Sequence, residues 1–365
     1  MSLIRVLHIN GGIMDYGGIS SFMMNYYRSI DRTKVQFDFL VHGFEKGVHD
    51  VEIVELGGKI YNVPIKSKDY FGNIRALKEI FMSGLYSIVH CHMDAMNTFV
   101  LRIAKKCGVP IRISHCHNTE HLTNNFLRYH INEFARRNSV KFATHRFACS
   151  ELAGNWLFGA ECEFNIANNA ILVDKFNFNS EKRVRYRDEL KIGTSIAIGH
   201  IGRFDYQKNH SFLIDVFFEI MKESNKYKLL LVGEGYLKKD ILEKAESLNL
   251  KDHIIFLGER RDISELISAF DIFVLPSLFE GLPVVGVEAQ ANGLACVFSS
   301  NVSKEIALAD NVVFISINCA QEWAKKIMDL DYLRLDSSEK IKRLGYDIHF
   351  EAGKLGLFYQ EVSDI

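Results

Sequence analysis

Two doubly wound α/β domains are the architecture this sequence predicts, on three observations. Short apolar strands alternate with helix-period segments through both halves of the chain, which implies parallel sheets covered on both faces. At 365 residues the chain is too long for one hydrophobic core. One segment, 174–191, breaks the alternation with dense charge and repeated Phe/Asn steps, and is the candidate join between the halves.

In the first half, runs of β-branched and aromatic residues read as strands at 5–10, 36–41, 59–63, 88–92, 111–115 and 146–150. Between them, apolar residues recurring every three to four positions predict helices at 19–29, 74–82 and 97–106. The second half repeats the scheme. Strands are predicted at 195–201, 228–232, 254–257, 272–275, 295–299 and 312–315, and helices at 210–222, 238–248, 263–269 and 322–328. In such folds ligands bind at the carboxyl ends of the strands, and two such domains are expected to leave an interdomain cleft.

Bulk composition narrows the function. Apolar residues make up 48% and charged residues 24%, an ordinary soluble balance. A net charge of −1 argues for neither nucleic acid nor a membrane, so any basic surface must be local, and no nucleic-acid partner is expected. Seven cysteines, an odd number without a C-x-x-C pair, fit a reducing, cytoplasmic setting. The opening segment Met1–Asn10 reads as a strand, not a signal peptide. No apolar run approaches the ~20 residues of a membrane helix.

The most informative stretch is Phe279-Glu280-Gly281-Leu282-Pro283-Val284-Val285-Gly286-Val287-Glu288. Its two carboxylates flank a Gly-x-Pro turn directly after an apolar strand, so Glu280 is expected in the ligand loop and Glu288 on the following helix. Apolar neighbours surround Glu288, and a carboxylate there needs a hydrogen-bond partner or costs several kcal/mol. Ligand hydroxyls are natural partners; a helix Glu satisfied by a local amide is the competing reading.

Other strand ends carry further candidates. Gly17 and Gly18 precede a helix, where a bare backbone and a helix N-terminus favour an anion. The dinucleotide fingerprint G-x-G-x-x-G is absent there, which disfavours a nicotinamide oxidoreductase. Arg203 and Lys208 follow another strand, just ahead of a helix that Asn209 is expected to cap. Two cations at a helix N-terminus make a diphosphate cradle without a metal.

His90-Cys91-His92 and His115-Cys116-His117 suggest zinc, but their spacing is tighter than zinc motifs use, and no metal is expected. Strand alternation puts both histidines of each tripeptide on one face, with His92 and His117 at strand ends. Finally, Arg128, Arg136, Arg137 and Lys141 interleave with Phe126, Leu127, Tyr129, Ile131 and Phe134. A basic amphipathic helix of this kind suits an anionic membrane surface. A helix packed on its own domain is the alternative.

Taken in order, these motifs resemble those of the retaining GT-B nucleotide-sugar glycosyltransferases, in particular the large family with capsule and exopolysaccharide members (glycosyltransferase family 4 type). The resemblance runs over nearly the whole chain. It rests most on Glu280 and Glu288 with seven residues between, then on Gly202-Arg203 with Lys208-Asn209, Gly233-Glu234-Gly235, Asn169-Ala170-Ile171 and Gly17-Gly18. It implies two Rossmann-like domains, an acceptor domain at 1–173 and a donor domain at 174–345, with residues 346–365 returning to the first as a terminal helix.

It further implies a role at each site. Glu288 would hold the ribose hydroxyls, Arg203 and Lys208 the diphosphate, with the Gly17 and Gly18 amides nearby. Glu280 and the backbone of Gly281, Leu282 and Pro283 would grip the donor sugar. His117 would stand beside the reacting sugar, with His92 and Asn118 on the acceptor side. Asn169-Ala170-Ile171 departs from the family's usual Asn-Gly-Val, leaving that hinge turn less conformational freedom.

The expected reaction is metal-independent transfer with retention, from a nucleoside-diphosphate sugar (uridine diphosphate being the commonest carrier) to a glycan acceptor. A polyprenyl-diphosphate-linked oligosaccharide at the inner leaflet of the cytoplasmic membrane would fit the basic segment. A GT-B epimerase or hydrolase, and a non-catalytic sugar-nucleotide-binding subunit, are the rival readings.

Overall fold

The computed structural model describes residues 3–123 and 125–363. Residues 1 and 2 of the opening segment, and 364 and 365 of the terminal one, lie outside the described residues. The chain divides into two compact units, 1–170 with 348–365, and 171–347.

The strands of the first unit are β1 (Ile4–Asn10), β2 (Val35–His42), β3 (Ile60–Val63), β4 (Ile88–His92), β5 (Ile111–Cys116), β6 (His145–Ala148) and β7 (Asn165–Ile166). Its helices are α1 (Gly18–Ser29), α2 (Asp50–Glu55), α3 (Tyr70–Met82), α4 (Asn97–Lys106), α5 (Phe126–Arg137) and α6 (Glu151–Phe158). The sheet is parallel, in the order β3-β2-β1-β4-β5-β6-β7. The direction of winding therefore reverses between β1 and β4.

The second unit has β8 (Ile196–Ile201), β9 (Tyr227–Val232), β10 (Ile254–Gly258), β11 (Ile272–Leu275), β12 (Ala295–Ser299) and β13 (Val312–Ile315). Its helices are α7 (Ser180–Glu189), α8 (His210–Glu223), α9 (Lys238–Ser247), α10 (Ile263–Leu266), α11 (Val284–Ala291), α12 (Ala320–Met328) and α13 (Ser338–Ile341). This sheet is also parallel, in the order β10-β9-β8-β11-β12-β13, and reverses between β8 and β11. The last helix, α14 (Ile348–Ser363), belongs to the first unit, where Ile348, Ala352, Leu355, Tyr359 and Val362 join the core of α1, β1 and β2. Their spacing of three to four residues is the buried stripe of an amphipathic helix.

Two sequence expectations need correction. Segment 174–191 is no linker: most of it is α7, bound into the second unit. Arg183 and Arg187 both pair with Asp271, at 2.6 and 3.1 Å, and Arg185 pairs with Glu265 at 2.6 Å. Its charge is taken up by Glu265 on α10 and by Asp271 just before β11, and the division falls earlier, within the tripeptide Asn169-Ala170-Ile171. The short strand β7 carries no periodic signal and has no counterpart in the sequence reading.

Candidate active site

In a doubly wound sheet, the loops that diverge at the reversal of strand order leave room for a ligand. In the second unit those loops follow β8 and β11 and carry Arg203, Lys208 and Glu280, with Glu288 on the helix that follows the second. The loop after β8 is held by glycine: Gly233 has φ +134, and a Cβ there would overlap the Gly202 carbonyl, so only glycine lets the β9 loop lie against Gly202-Arg203.

Lys208 Nζ lies 2.6 Å from Glu280 Oε1, joining the two loops. Gln207 reinforces the joint, its Nε2 donating to the Phe279 carbonyl at 3.0 Å and lying 3.3 Å from Glu280 Oε2. A parallel bridge to Val302 pins Glu280 from the other side. Gln207 was not singled out in the sequence; its one signal is its position beside Lys208. Arg203 is the outermost of the group, its side chain 54% exposed and its Nε 3.4 Å from Asp205 Oδ2. Asn209 does stand at the N-cap of α8, but in the left-handed region (φ 55) and without a side-chain cap bond. Its amide donates instead to the Pro276 carbonyl at 3.2 Å, tying the same two loops. Gly281, Leu282 and Pro283 are buried in the turn leading into α11.

Glu288 sits in the middle of α11, half-buried, and no side chain or amide bonds its carboxylate among the described residues. Desolvation pushes its carboxyl up to about 7, against a smaller opposing effect of Lys175. The local-amide reading of this residue therefore fails.

In the first unit the reversal lies between β1 and β4. Gly17 caps α1, but its amide already donates to Asp15 Oδ1 at 2.9 Å. Of the pair, only the Gly18 amide lacks a partner among the described residues. His117 follows β5 and is 8% exposed. Its backbone amide donates to Asp94 Oδ1 at 2.7 Å, and the Asn118 amide to Asp94 Oδ2 at 2.8 Å. Asp94, buried with φ 50, thus holds the His117-Asn118 turn, a role its sequence position after β4 did not announce.

His92 differs from expectation. It is fully buried and both ring nitrogens are engaged, Nε2 with His8 Nδ1 and Nδ1 with His117 Nε2, each at 2.9 Å. It stands behind His117 and cannot itself meet an acceptor. Reasoning on single tripeptides also missed a cross-strand cluster: His8, His90, His92, His115 and His117 pack together, and nitrogens of His8, His90 and His92, and of His92, His115 and His117, fall within 4.8 Å of one another. Burial keeps all five neutral, pushing His8 and His117 down to about 3 and the other three well below the usual imidazole range.

The basic segment is shorter than read, because α5 ends at Arg137 and Ser139–Lys141 is a separate turn. Two of its cations are already paired within the helix. Glu133 takes Arg136 at 2.7 Å and Arg137 at 2.9 Å, and Arg136 also donates to the Trp156 carbonyl. Arg128 and Lys141 stay exposed, alongside Phe126, Leu127 and Phe134 at 78%, 68% and 63% exposure. Among the described residues no helix is long and apolar enough to cross a membrane.

Two parallel doubly wound units and a cation–carboxylate pair at the second sheet's reversal define a GT-B glycosyltransferase, and the chain belongs to the family of glycosyl transferases group 1, whose model matches residues 182–346. It is 36% identical to the putative glycosyltransferase EpsF of Bacillus subtilis (strain 168), over 96% of this chain and 95% of that protein. A UDP-Gal:alpha-D-GlcNAc-diphosphoundecaprenol alpha-1,3-galactosyltransferase of Escherichia coli is 26% identical over 65% of this chain and 63% of its own. In fold, the chain matches Anabaena Alr3699/HepE, crystallised with UDP and glucose, with a TM-score of 0.79 at 17% identity, covering 99% of this chain and 100% of that one.

Proposed function

We propose that this glycosyltransferase moves a sugar, with retention and without a metal, from a uridine-diphosphate carrier to a lipid-linked glycan acceptor in capsule or exopolysaccharide synthesis. The observation that carries the donor half is a cationic loop beside a half-buried carboxylate that has no partner among the described residues, both at one sheet reversal. Glu288 takes the ribose hydroxyls. Arg203 and Lys208 offset the charge of the departing diphosphate, and Glu280 turns from Lys208 to the donor sugar.

Breaking the bond between the sugar and the diphosphate leaves charge on the phosphate oxygen while the sugar becomes oxocarbenium-like. Fixed cations stabilise that charge best where water is excluded. The acceptor oxygen then bonds to the anomeric carbon on the face the phosphate leaves, and its proton passes to the leaving phosphate oxygen. Among relatives, the acceptor printed in the name of the Escherichia coli enzyme is a diphosphoundecaprenol-linked sugar, which supports a lipid-linked acceptor here. In a thermal-shift panel of nucleoside-diphosphate sugars, a uridine-linked donor should raise the melting temperature most, since a ligand at 100-fold over its Kd adds about 2.7 kcal/mol. A larger shift with guanosine or adenosine carriers would reject the carrier. Donor consumption with no sugar transferred to any acceptor would favour the hydrolase or epimerase reading.

Attachment to the inner leaflet rests on Phe126, Leu127 and Phe134 beside Arg128 and Lys141, a surface of exposed apolar side chains flanked by cations. The chain should float with vesicles containing anionic lipid. Replacing Phe126 and Leu127 by serine should abolish flotation, whereas Arg137→Ala should weaken it little because Arg137 is already paired. Flotation unaffected by the serine pair would place α5 elsewhere than at the lipid surface.

A further inference from the structure

The histidine cluster is ordered. Across adjacent strands the rings lie edge to edge in two rows, and along each strand they stack face to face. The outer row is His8, His92 and His117, with nitrogen-to-nitrogen separations of 2.9 Å and ring planes 13° and 33° apart. The inner row is Tyr359, His90 and His115, joined at 2.6 and 3.0 Å. His90 stacks on His92 with centroids 4.3 Å apart, and His115 on His117 at 4.1 Å, because alternate residues of a strand share a face. Nitrogens this close share one proton. A zinc ion would need about 2.0–2.1 Å to each nitrogen, which these pairs could provide only by rotating the rings.

A neutral imidazole carries one N–H and one lone pair, so each link in a row fixes the next. The outer row has only two orderings, and its buried end distinguishes them. Among the described residues His8 Nε2 faces only the Tyr359 hydroxyl, at 3.5 Å, the outer limit of a hydrogen bond. An N–H at that position would be close to an orphaned buried donor, which proteins avoid more strictly than an under-used acceptor. A lone pair there costs less and can accept from Tyr359. His8 therefore carries its hydrogen on Nδ1 and donates to His92, which donates from Nδ1 to His117 Nε2. At the open end, His117 Nδ1 has no partner among the described residues and is not among the buried unpartnered atoms, so it is open to solvent and neither state orphans it.

We propose that His8 and His92 act as positioning residues that hold His117 as its Nδ1–H tautomer, so that it presents a hydrogen-bond donor, and not a basic lone pair, to its ligand. The ligand chemistry this selects is an oxygen acceptor, such as a sugar hydroxyl or carbonyl. That consequence rests on His117 standing beside the donor sugar, as read above.

The tautomer can be read directly from a long-range ¹H–¹⁵N correlation spectrum of the full chain labelled with ¹⁵N-histidine, with His117 assigned by its loss in His117→Gln. The unmodified protein should show His117 protonated at Nδ1 and bare at Nε2. His92→Phe removes the donor, and His117 should shift to the Nε2–H form or a mixture. His92→Asn, whose amide nitrogen stands in for Nδ1–H, should keep the original form. An Nε2–H signal in the unmodified protein would overturn the assignment, as would an Nδ1–H signal that persists in a folded His92→Phe variant. If His92→Phe does not fold, the unmodified spectrum still decides. Normal transfer by His117→Ala, with the spectrum of the unmodified protein as expected, would remove the sugar-side role of His117 and leave the ordering intact.

Discussion

Arg203→Ala and Lys208→Ala should each lower kcat by about 10²–10³-fold, the loss seen when one preorganised charge-stabilising donor is removed. Their effects on stability should differ. Arg203 is more than half exposed and lies beside Asp205, so its loss should leave the melting temperature nearly unchanged. Lys208 and Glu280 form a largely buried pair, with side chains 14% and 9% exposed. Removing the ammonium takes the countercharge from a largely buried carboxylate and should cost about 3 kcal/mol. Adding Glu280→Gln to Lys208→Ala should recover much of that stability and none of the rate. Transfer should also persist in the presence of a chelator, because the protein supplies the charge. A double Arg203→Ala, Lys208→Ala enzyme that transfers at a near-normal rate would end this account of the leaving group.

The elements were readable because both sheets are parallel. Strands buried on both faces are near-continuous apolar runs, and β11 and β12 fall where those runs predict. What could not be read was anything made by register. His8 lies far from the two His-Cys-His tripeptides in sequence, yet β1 pairs with β4 so that His8 stands opposite His90. The same holds for Tyr359, which reaches His90 from the last helix. The charge-rich segment 174–191 misled for a related reason. Arginines that look solvated in sequence are satisfied by Asp271 and Glu265, 80 or more positions away. Likewise, counting cations on α5 overlooked that Glu133 claims two of them. In the second unit the site was legible because each candidate directly follows its strand, where topology alone sets the position. Which of them pair could not be read: the Lys208–Glu280 contact spans 72 positions.

Glu288→Gln should change two pH profiles at once. Burial raises this carboxyl from an ordinary 4.5 to about 7, so between those values the folded chain binds a proton that the unfolded chain has released. Stability therefore falls as pH rises through this window, and the loss is complete above the folded value. A shift of this size corresponds to about 3 kcal/mol. The glutamine variant lacks this slope and should be more stable than the parent at pH 8 and similar to it at pH 4. Binding should move in the opposite sense. Two ribose hydroxyls donating to the carboxylate favour its ionised form, so nucleotide uptake near pH 7 should release a proton, seen in calorimetry as a heat that depends on the buffer's ionisation enthalpy. Glu288→Gln should show no such release from this group and should bind nucleotide about 2 kcal/mol more weakly, the scale of a hydrogen bond to a charged group. The combination of a stabilising substitution and weakened binding is expected of a carboxylate kept dehydrated for a ligand. If affinity is unchanged and the stability slope persists in Glu288→Gln, the carboxylate neither meets the nucleotide nor titrates near neutrality, and the ribose assignment is lost.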